Sequence, residues 1–95
     1  MLQYLKDRII DEIDDANAYM AKAVEHKGTL CGETFMTLAK QESQHANMLY
    51  SMFRGKEKSE DMVDKDYSAM LKEILDKFAD GMAKFEAMKK VYMMK

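Results

Sequence analysis

The residues with the clearest capacity for chemistry are a glutamate and a histidine in the segment QESQH. Glu42 and His45 lie three residues apart, inside a run of apolar residues that recur every three or four positions. Those apolar residues are Phe35, Leu38, Ala39, Ala46, Leu49 and Phe53. The spacing is typical of the buried face of a helix, so it predicts that Glu42 and His45 both point towards the core.

Glu12 is a third candidate and belongs to a separate run of apolar residues. Ala16, Tyr19 and Ala23 follow it at helical spacing, which places Glu12 on the flank of an apolar face. We therefore expect it to point at least partly inward. A carboxylate in a core needs a cation, a hydrogen bond or a metal ion, because removing it from water costs several kcal/mol.

A metal ion is the strongest candidate for that compensation. The lysines and arginines fall mostly on the polar faces of the predicted helices, and none lies at the centre of an apolar face. Glutamate and histidine three residues apart on a helix project side by side, with Cβ atoms about 5 to 6 Å apart, which suits ligands of one ion or of adjacent ions. Carboxylate and imidazole without thiolate favour iron or manganese, and zinc stays open.

Composition and periodicity predict an all-α fold. The sequence has no proline and 11 methionines, which favours long helices with adaptable apolar packing. Its three amphipathic patterns predict an antiparallel helical hairpin followed by a long third helix, within a single domain of 95 residues. The predicted helices cover about residues 2–27, 30–54 and 60–93.

Glycines and cap-forming residues mark the ends of these helices. Gly28 and Gly55 fall where the first two helices should end, and Ser59 or Asp61 is suited to cap the third. The apolar face of the third helix runs for about nine turns, longer than its own hairpin is expected to cover. A second subunit is the simplest cover, so we expect a homodimer or a higher oligomer.

The charge balance argues against nucleic acid and membrane partners. The chain has 15 basic and 17 acidic residues, with a formal net charge of -2, and so lacks the broad positive field that such partners attract. It has no long apolar run and no basic-then-apolar N-terminus, so we expect a cytoplasmic protein. The single cysteine, Cys31, can form neither an intrachain disulfide nor a CxxC metal pair.

Two segments together resemble the first two helices of rubrerythrin-type ferritin-like proteins. They are DEIDDANAYMAKA, with a carboxylate seven residues before a tyrosine, and ETFMTLAKQESQHANMLY, with an ExxH motif. The resemblance covers about residues 8–53 and implies a site for two iron or manganese ions. It implies that Glu12 is a terminal or bridging ligand, Glu42 a bridging ligand and His45 a terminal imidazole ligand. It also implies that Tyr19 donates a hydrogen bond to a ligating carboxylate.

The third predicted helix departs from that family, because it contains no second ExxH motif. A full-length member supplies four ligand helices from one chain, whereas this sequence supplies one glutamate and one ExxH. The resemblance therefore implies a ferritin-like four-helix bundle completed by homodimerisation, with two iron ions per dimer and manganese as an alternative. Small half-length relatives, including encapsulated ferritins, complete their sites in this way.

The resemblance also implies a reaction, the oxidation of Fe(II) by oxygen or hydrogen peroxide, as in a ferroxidase or a peroxidase. Complete rubrerythrins carry a four-cysteine rubredoxin module that returns electrons, and the lone Cys31 cannot form one. This favours iron oxidation or an unknown external electron donor.

Several alternatives stay open at this stage. Glu42 and His45 can be a polar pair whose hydrogen bonds are satisfied within a dimer interface, without metal. The protein can also be a metal-free helical interaction module that binds its partner through the apolar face of the third helix. The site can also bind iron without turnover. Taken singly, Glu12 would more often be a solvated residue and Tyr19 a core tyrosine.

Overall fold

Three helices make up the part of the chain that the structure, a computed structural model, describes, namely residues 1–55 and 64–94. They are α1 (Leu2–Glu25), α2 (Leu30–Gly55) and α3 (Asp64–Met93). These residues contain no strand, which confirms the predicted all-α class. The predicted start of the third helix near residue 60, with its caps at Ser59 or Asp61, lies outside the described residues.

The turn between α1 and α2 follows the predicted signals. Gly28 has a φ of 86°, a conformation that glycine adopts without the strain a Cβ would cause. Thr29 then caps α2, because its hydroxyl oxygen accepts a hydrogen bond from the backbone N–H of Gly32 at 3.1 Å. The short turn makes α1 and α2 an antiparallel hairpin.

Helix α1 lies between the other two helices and carries most of the core. Its apolar residues recur at helical spacing and are almost fully buried. They form two clusters along the hairpin, one with Ala46 and Phe53 of α2 and the other with Ala39 of α2 and Phe85 of α3. The buried apolar residues of α1 are Leu2, Leu5, Ile9, Ile13, Ala16, Met20 and Ala23.

Helix α3 packs along α1 and runs in the same direction. The side chain of Lys6 pairs with Glu73 at 3.1 Å, and at the other end Lys27 donates a hydrogen bond to the Val91 carbonyl at 3.1 Å. Helix α2 therefore runs opposite to both α1 and α3, as the sequence predicted for helices that follow one another in the chain. Gly81 explains the close packing of α3, because a Cβ there would overlap the Ile13 side chain.

The three long helices form a rod of 50 × 18 × 14 Å. The radius of gyration is 15.3 Å, against about 12 Å for a compact chain of this length. Because α3 covers α1 on only one side, the opposite side of the hairpin stays open. In the described parts of the chain, no helix combines the length and apolar character needed to span a bilayer.

Candidate metal centre

Glu12, Glu42 and His45 converge on the open side of the hairpin. Each offers one ligand atom to a group whose members all lie within 4.8 Å of one another. The Nδ1 atom of His45 is 3.8 Å from Glu12 Oε2 and 3.8 Å from Glu42 Oε1. The structure therefore brings together the three residues that the sequence predicted as ligands.

Small buried residues let α1 and α2 approach each other at the level of the site. The site lies where the two core clusters meet, next to Ala16 on α1 and between Ala39 and Ala46 on α2. All three alanines are fully buried. Because their side chains take little space, the hairpin can bring carboxylates from both helices to one place.

Burial decreases from Glu12 to His45 across the site. The side chain of Glu12 is 6% exposed, that of Glu42 is 19% exposed and that of His45 is 52% exposed. The prediction that Glu12 points at least partly inward is confirmed. The prediction that Glu42 and His45 both point into the core is wrong for His45 and only partly right for Glu42.

Helix geometry explains this correction. Three residues turn an α-helix by about 300°, which is about 60° short of a full turn. Each step of three residues, from the buried Ala39 to Glu42 and then to His45, therefore moves the side chain further from the core. The two ExxH residues lie progressively nearer the open face, where a second chain can reach them.

The expectation that no organic cation meets Glu12 is also wrong. Arg8, one turn earlier on α1, donates a hydrogen bond from Nη2 to Glu12 Oε1. The lysines and arginines were expected mostly on the polar faces, but the long side chain of Arg8 reaches the buried carboxylate. The signal in the sequence was the i, i+4 pair of arginine and glutamate, a spacing at which helical side chains meet.

The second oxygen of Glu12 remains without a hydrogen bond. Its Oε2 atom is buried and has no hydrogen-bond partner among the described residues, yet it faces His45. Such an oxygen is costly to bury unless a cation approaches it. With Glu42 and an imidazole nitrogen beside it, the donor set is two carboxylates and one histidine, which fits divalent iron or manganese.

A comparison with protein-family models identifies the family of this chain. A protein-family model described as Rubrerythrin matches residues 3–93. The chain belongs to the rubrerythrin family. The match extends beyond residues 8–53, which carried the sequence resemblance, and includes α3. No curated protein and no solved structure matches the chain.

Rubrerythrins generally bind iron, and the group of Glu12, Glu42 and His45 is a potential metal site in this member of the family. Tyr19, the predicted hydrogen-bond donor, is half-buried, and its ring stacks on Phe35 with centroids 6.2 Å apart. Within the described residues of one chain, its hydroxyl forms no hydrogen bond with either glutamate. The supporting role of Tyr19 therefore stays a prediction.

An exposed apolar rim borders the site of this rubrerythrin-family chain. Tyr4 on α1 and Met48 and Met52 on α2 are exposed, and together with His45 they line an open groove of about 350 Å³. Large exposed apolar side chains that border a groove are typical of surfaces that bind another protein or a ligand.

Proposed function

We propose that two copies of this chain pair about a two-fold axis and share a di-iron carboxylate centre that oxidises Fe(II) with oxygen or hydrogen peroxide. The observation that carries this proposal is the convergence of Glu12, Glu42 and His45 on an open face, where Glu12 Oε2 is buried and finds no hydrogen-bond partner in residues 1–55 and 64–94. Membership of the rubrerythrin family supports the choice of iron.

A second copy supplies the ligands that one chain lacks. The di-iron site of a ferritin-like bundle takes one glutamate from each of two helices and one ExxH motif from each of the other two. The α1–α2 hairpin holds half of that set, and a two-fold axis doubles it. When two copies pair, the exposed side chains of Tyr4, Met48 and Met52 would also be removed from water.

Each residue would have a distinct task at the shared centre. When bound, iron supplies one electron per Fe(II) ion to the oxidant, and manganese is an alternative metal. Glu12 and Glu42 would hold the metal through carboxylate oxygens and supply the negative charge that balances it. His45 would bind the metal through a ring nitrogen. Met48 and Leu49 provide an apolar wall that limits access of water.

Iron oxidation needs no electron return, whereas repeated peroxide reduction does. These 95 residues hold one cysteine, so electrons for a peroxidase cycle would come from a donor outside them. A soluble redox partner of unknown identity would donate these electrons. This consideration favours ferroxidase activity over peroxidase activity.

The test combines metal analysis with oxygen consumption. Protein stripped of metal is given Fe(II) under nitrogen, passed through a desalting column, analysed for iron and then exposed to oxygen. We expect about one iron ion per chain and oxygen uptake that follows added Fe(II). The double variant Glu42→Ala/His45→Ala should do neither, whereas Glu33→Ala, which removes an exposed glutamate of α2, should match the wild type.

One observation favours a second candidate, a metal-free helical interaction module. The pairing of Arg8 with Glu12 neutralises a buried carboxylate without any metal. This candidate predicts that wild-type protein takes up no iron and that chelators leave its assembly unchanged. Iron uptake without oxygen consumption would instead indicate an iron-binding protein without turnover.

A further inference from the structure

We propose that Arg8 is a built-in counter-ion that replaces the metal at Glu12 in the metal-free chain, and that it weakens metal binding so that iron is held reversibly. This inference rests on the proposed function, because it takes Glu12 as a metal ligand. Arg8 lies outside the predicted ligand set, and its positive charge would lower the affinity of the centre for metal.

The geometry divides the carboxylate of Glu12 between two partners. Arg8 Nη2 donates a hydrogen bond to Oε1, while Oε2 points to the other side, 3.8 Å from His45 Nδ1. One oxygen is thus held by the arginine, and the other is left for a cation between Glu12, Glu42 and His45. The pair lies within a single helix, one turn apart, so it can form before any second chain or metal arrives.

The metal-free state needs this arginine. The side chain of Glu12 is 6% exposed, and a buried carboxylate without a counter-charge is strongly destabilising. Arg8 itself is 41% exposed, so it keeps part of its contact with water while it neutralises Glu12.

The metal-bound state is opposed by the same arginine. Glu12 and Glu42 together balance the charge of one divalent ion per chain, and Arg8 adds a positive charge beyond that balance. The guanidinium repels the incoming cation and competes with it for the electrons of the same carboxylate. Because the site is partly shielded from water, this repulsion is only partly screened. A centre with this composition suits iron that enters, is oxidised and leaves.

The experiment measures Mn(II) affinity and metal-free stability in the same variants. Mn(II) binds to carboxylate and imidazole sites without turnover, so its dissociation constant can be measured by competition with a fluorescent chelator. The variant Arg8→Gln removes the charge, Arg8→Lys retains it, and Lys22→Gln removes a charge from an exposed part of α1. Thermal unfolding of the stripped proteins gives their stability.

The two readouts of Arg8→Gln should move in opposite directions. We expect it to bind Mn(II) roughly tenfold more tightly than the wild type, as the loss of one nearby positive charge implies, and to unfold at a lower temperature when metal-free. Arg8→Lys should keep its Mn(II) affinity within about twofold of the wild type, because the charge remains. Lys22→Gln should change neither readout.

Parallel changes would contradict this role. If Arg8→Gln loses both stability and Mn(II) affinity, Arg8 is only a structural support. If it changes neither, Arg8 is only a surface residue. In both cases the counter-ion inference fails while the proposed function survives. If wild-type protein binds no Mn(II) or Fe(II), the proposed function fails and this inference with it. Should metal-free Arg8→Gln not fold, Arg8→Gln/Glu12→Gln removes both charges and should fold; failure of that double variant also overturns the inference.

Discussion

Each side of α1 holds one polar side chain with a buried oxygen, and the surroundings of the two side chains differ. On the side facing α3, the Asn17 amide donates hydrogen bonds to the carbonyl oxygens of Ile13 and Gly81, at 3.2 and 3.0 Å. On the open side, Glu12 pairs with Arg8 through one oxygen, and no described residue forms a hydrogen bond with the other. The first side is closed by contacts within one chain, and the second is not.

Charge explains the contrast. The side-chain oxygen of Asn17 is also buried without a hydrogen bond in the part of the chain that is described, but it is neutral. A neutral amide oxygen without a partner costs about 1–3 kcal/mol, which the close packing around Gly81 can offset. An ionised carboxylate oxygen needs a cation. A half-buried neutral side chain can therefore fix how two helices pack, whereas a buried carboxylate oxygen that lacks a hydrogen bond within the described residues favours a bound cation.

The largest expected effect comes from removing ligands on the open side. Glu42→Ala/His45→Ala should abolish iron uptake, because one carboxylate and the only imidazole of the group are lost. Helix content measured by circular dichroism should stay unchanged, since neither side chain is in the core. Retention of iron by this variant would show that the metal binds elsewhere.

The next effect comes from the apolar rim. Met48→Lys/Met52→Lys should convert the proposed dimer to monomers, because it places positive charges where apolar side chains are expected to meet. Each residue at the centre of such an interface can be worth about 2 kcal/mol or more. Sedimentation equilibrium measures the change. Leu75→Lys, at an exposed apolar position of α3, is the control and should remain dimeric.

Gly81→Ala tests the closed side of α1 and should have a smaller effect. The added Cβ would overlap Ile13 and force α3 away from α1, with a loss of about 1–3 kcal/mol in the free energy of unfolding. Urea denaturation measures it. Gly55→Ala meets no neighbouring atom and should cost nothing. Iron uptake per folded chain should be the same in both variants, and a loss of uptake in Gly81→Ala would mean that the two sides of α1 are coupled.

The smallest effect belongs to Asn17→Ala. It removes two hydrogen bonds to carbonyl oxygens and also removes the buried oxygen without a partner, so the net loss should be about 1 kcal/mol. Thermal unfolding measures the stability, and Mn(II) affinity should not change. A loss well above that of Gly81→Ala would reverse the order in which the two contacts contribute.

Local signals in the sequence predicted the helices and the hairpin. Apolar spacing depends only on neighbouring residues, and Gly28 marks the turn because its φ of 86° strains any residue with a Cβ. The convergence of Glu12 with Glu42 and His45 was predictable for a similar reason. An antiparallel hairpin with a short turn fixes which residues of its two helices face each other.

Features that depend on packing between helices were not predictable. His45 was placed inside the core because apolar residues around it, such as Leu38 and Leu49, were counted as fully buried, whereas both are only half-buried in one chain. Arg8 was overlooked because a helical projection gives the direction of Cβ and not the reach of a long side chain. The close packing of α3 on α1 depends on Gly81, whose role becomes clear only when the facing residue, Ile13, is known.

Native mass spectrometry of protein loaded with Fe(II) under nitrogen is the most direct test of the shared centre. It reports the number of chains and the number of metal ions in the same species. The proposed function predicts a complex of two chains with about two iron ions, and its absence in Glu42→Ala/His45→Ala. A wild-type spectrum that contains only iron-free species, whether single chains or pairs, would contradict it.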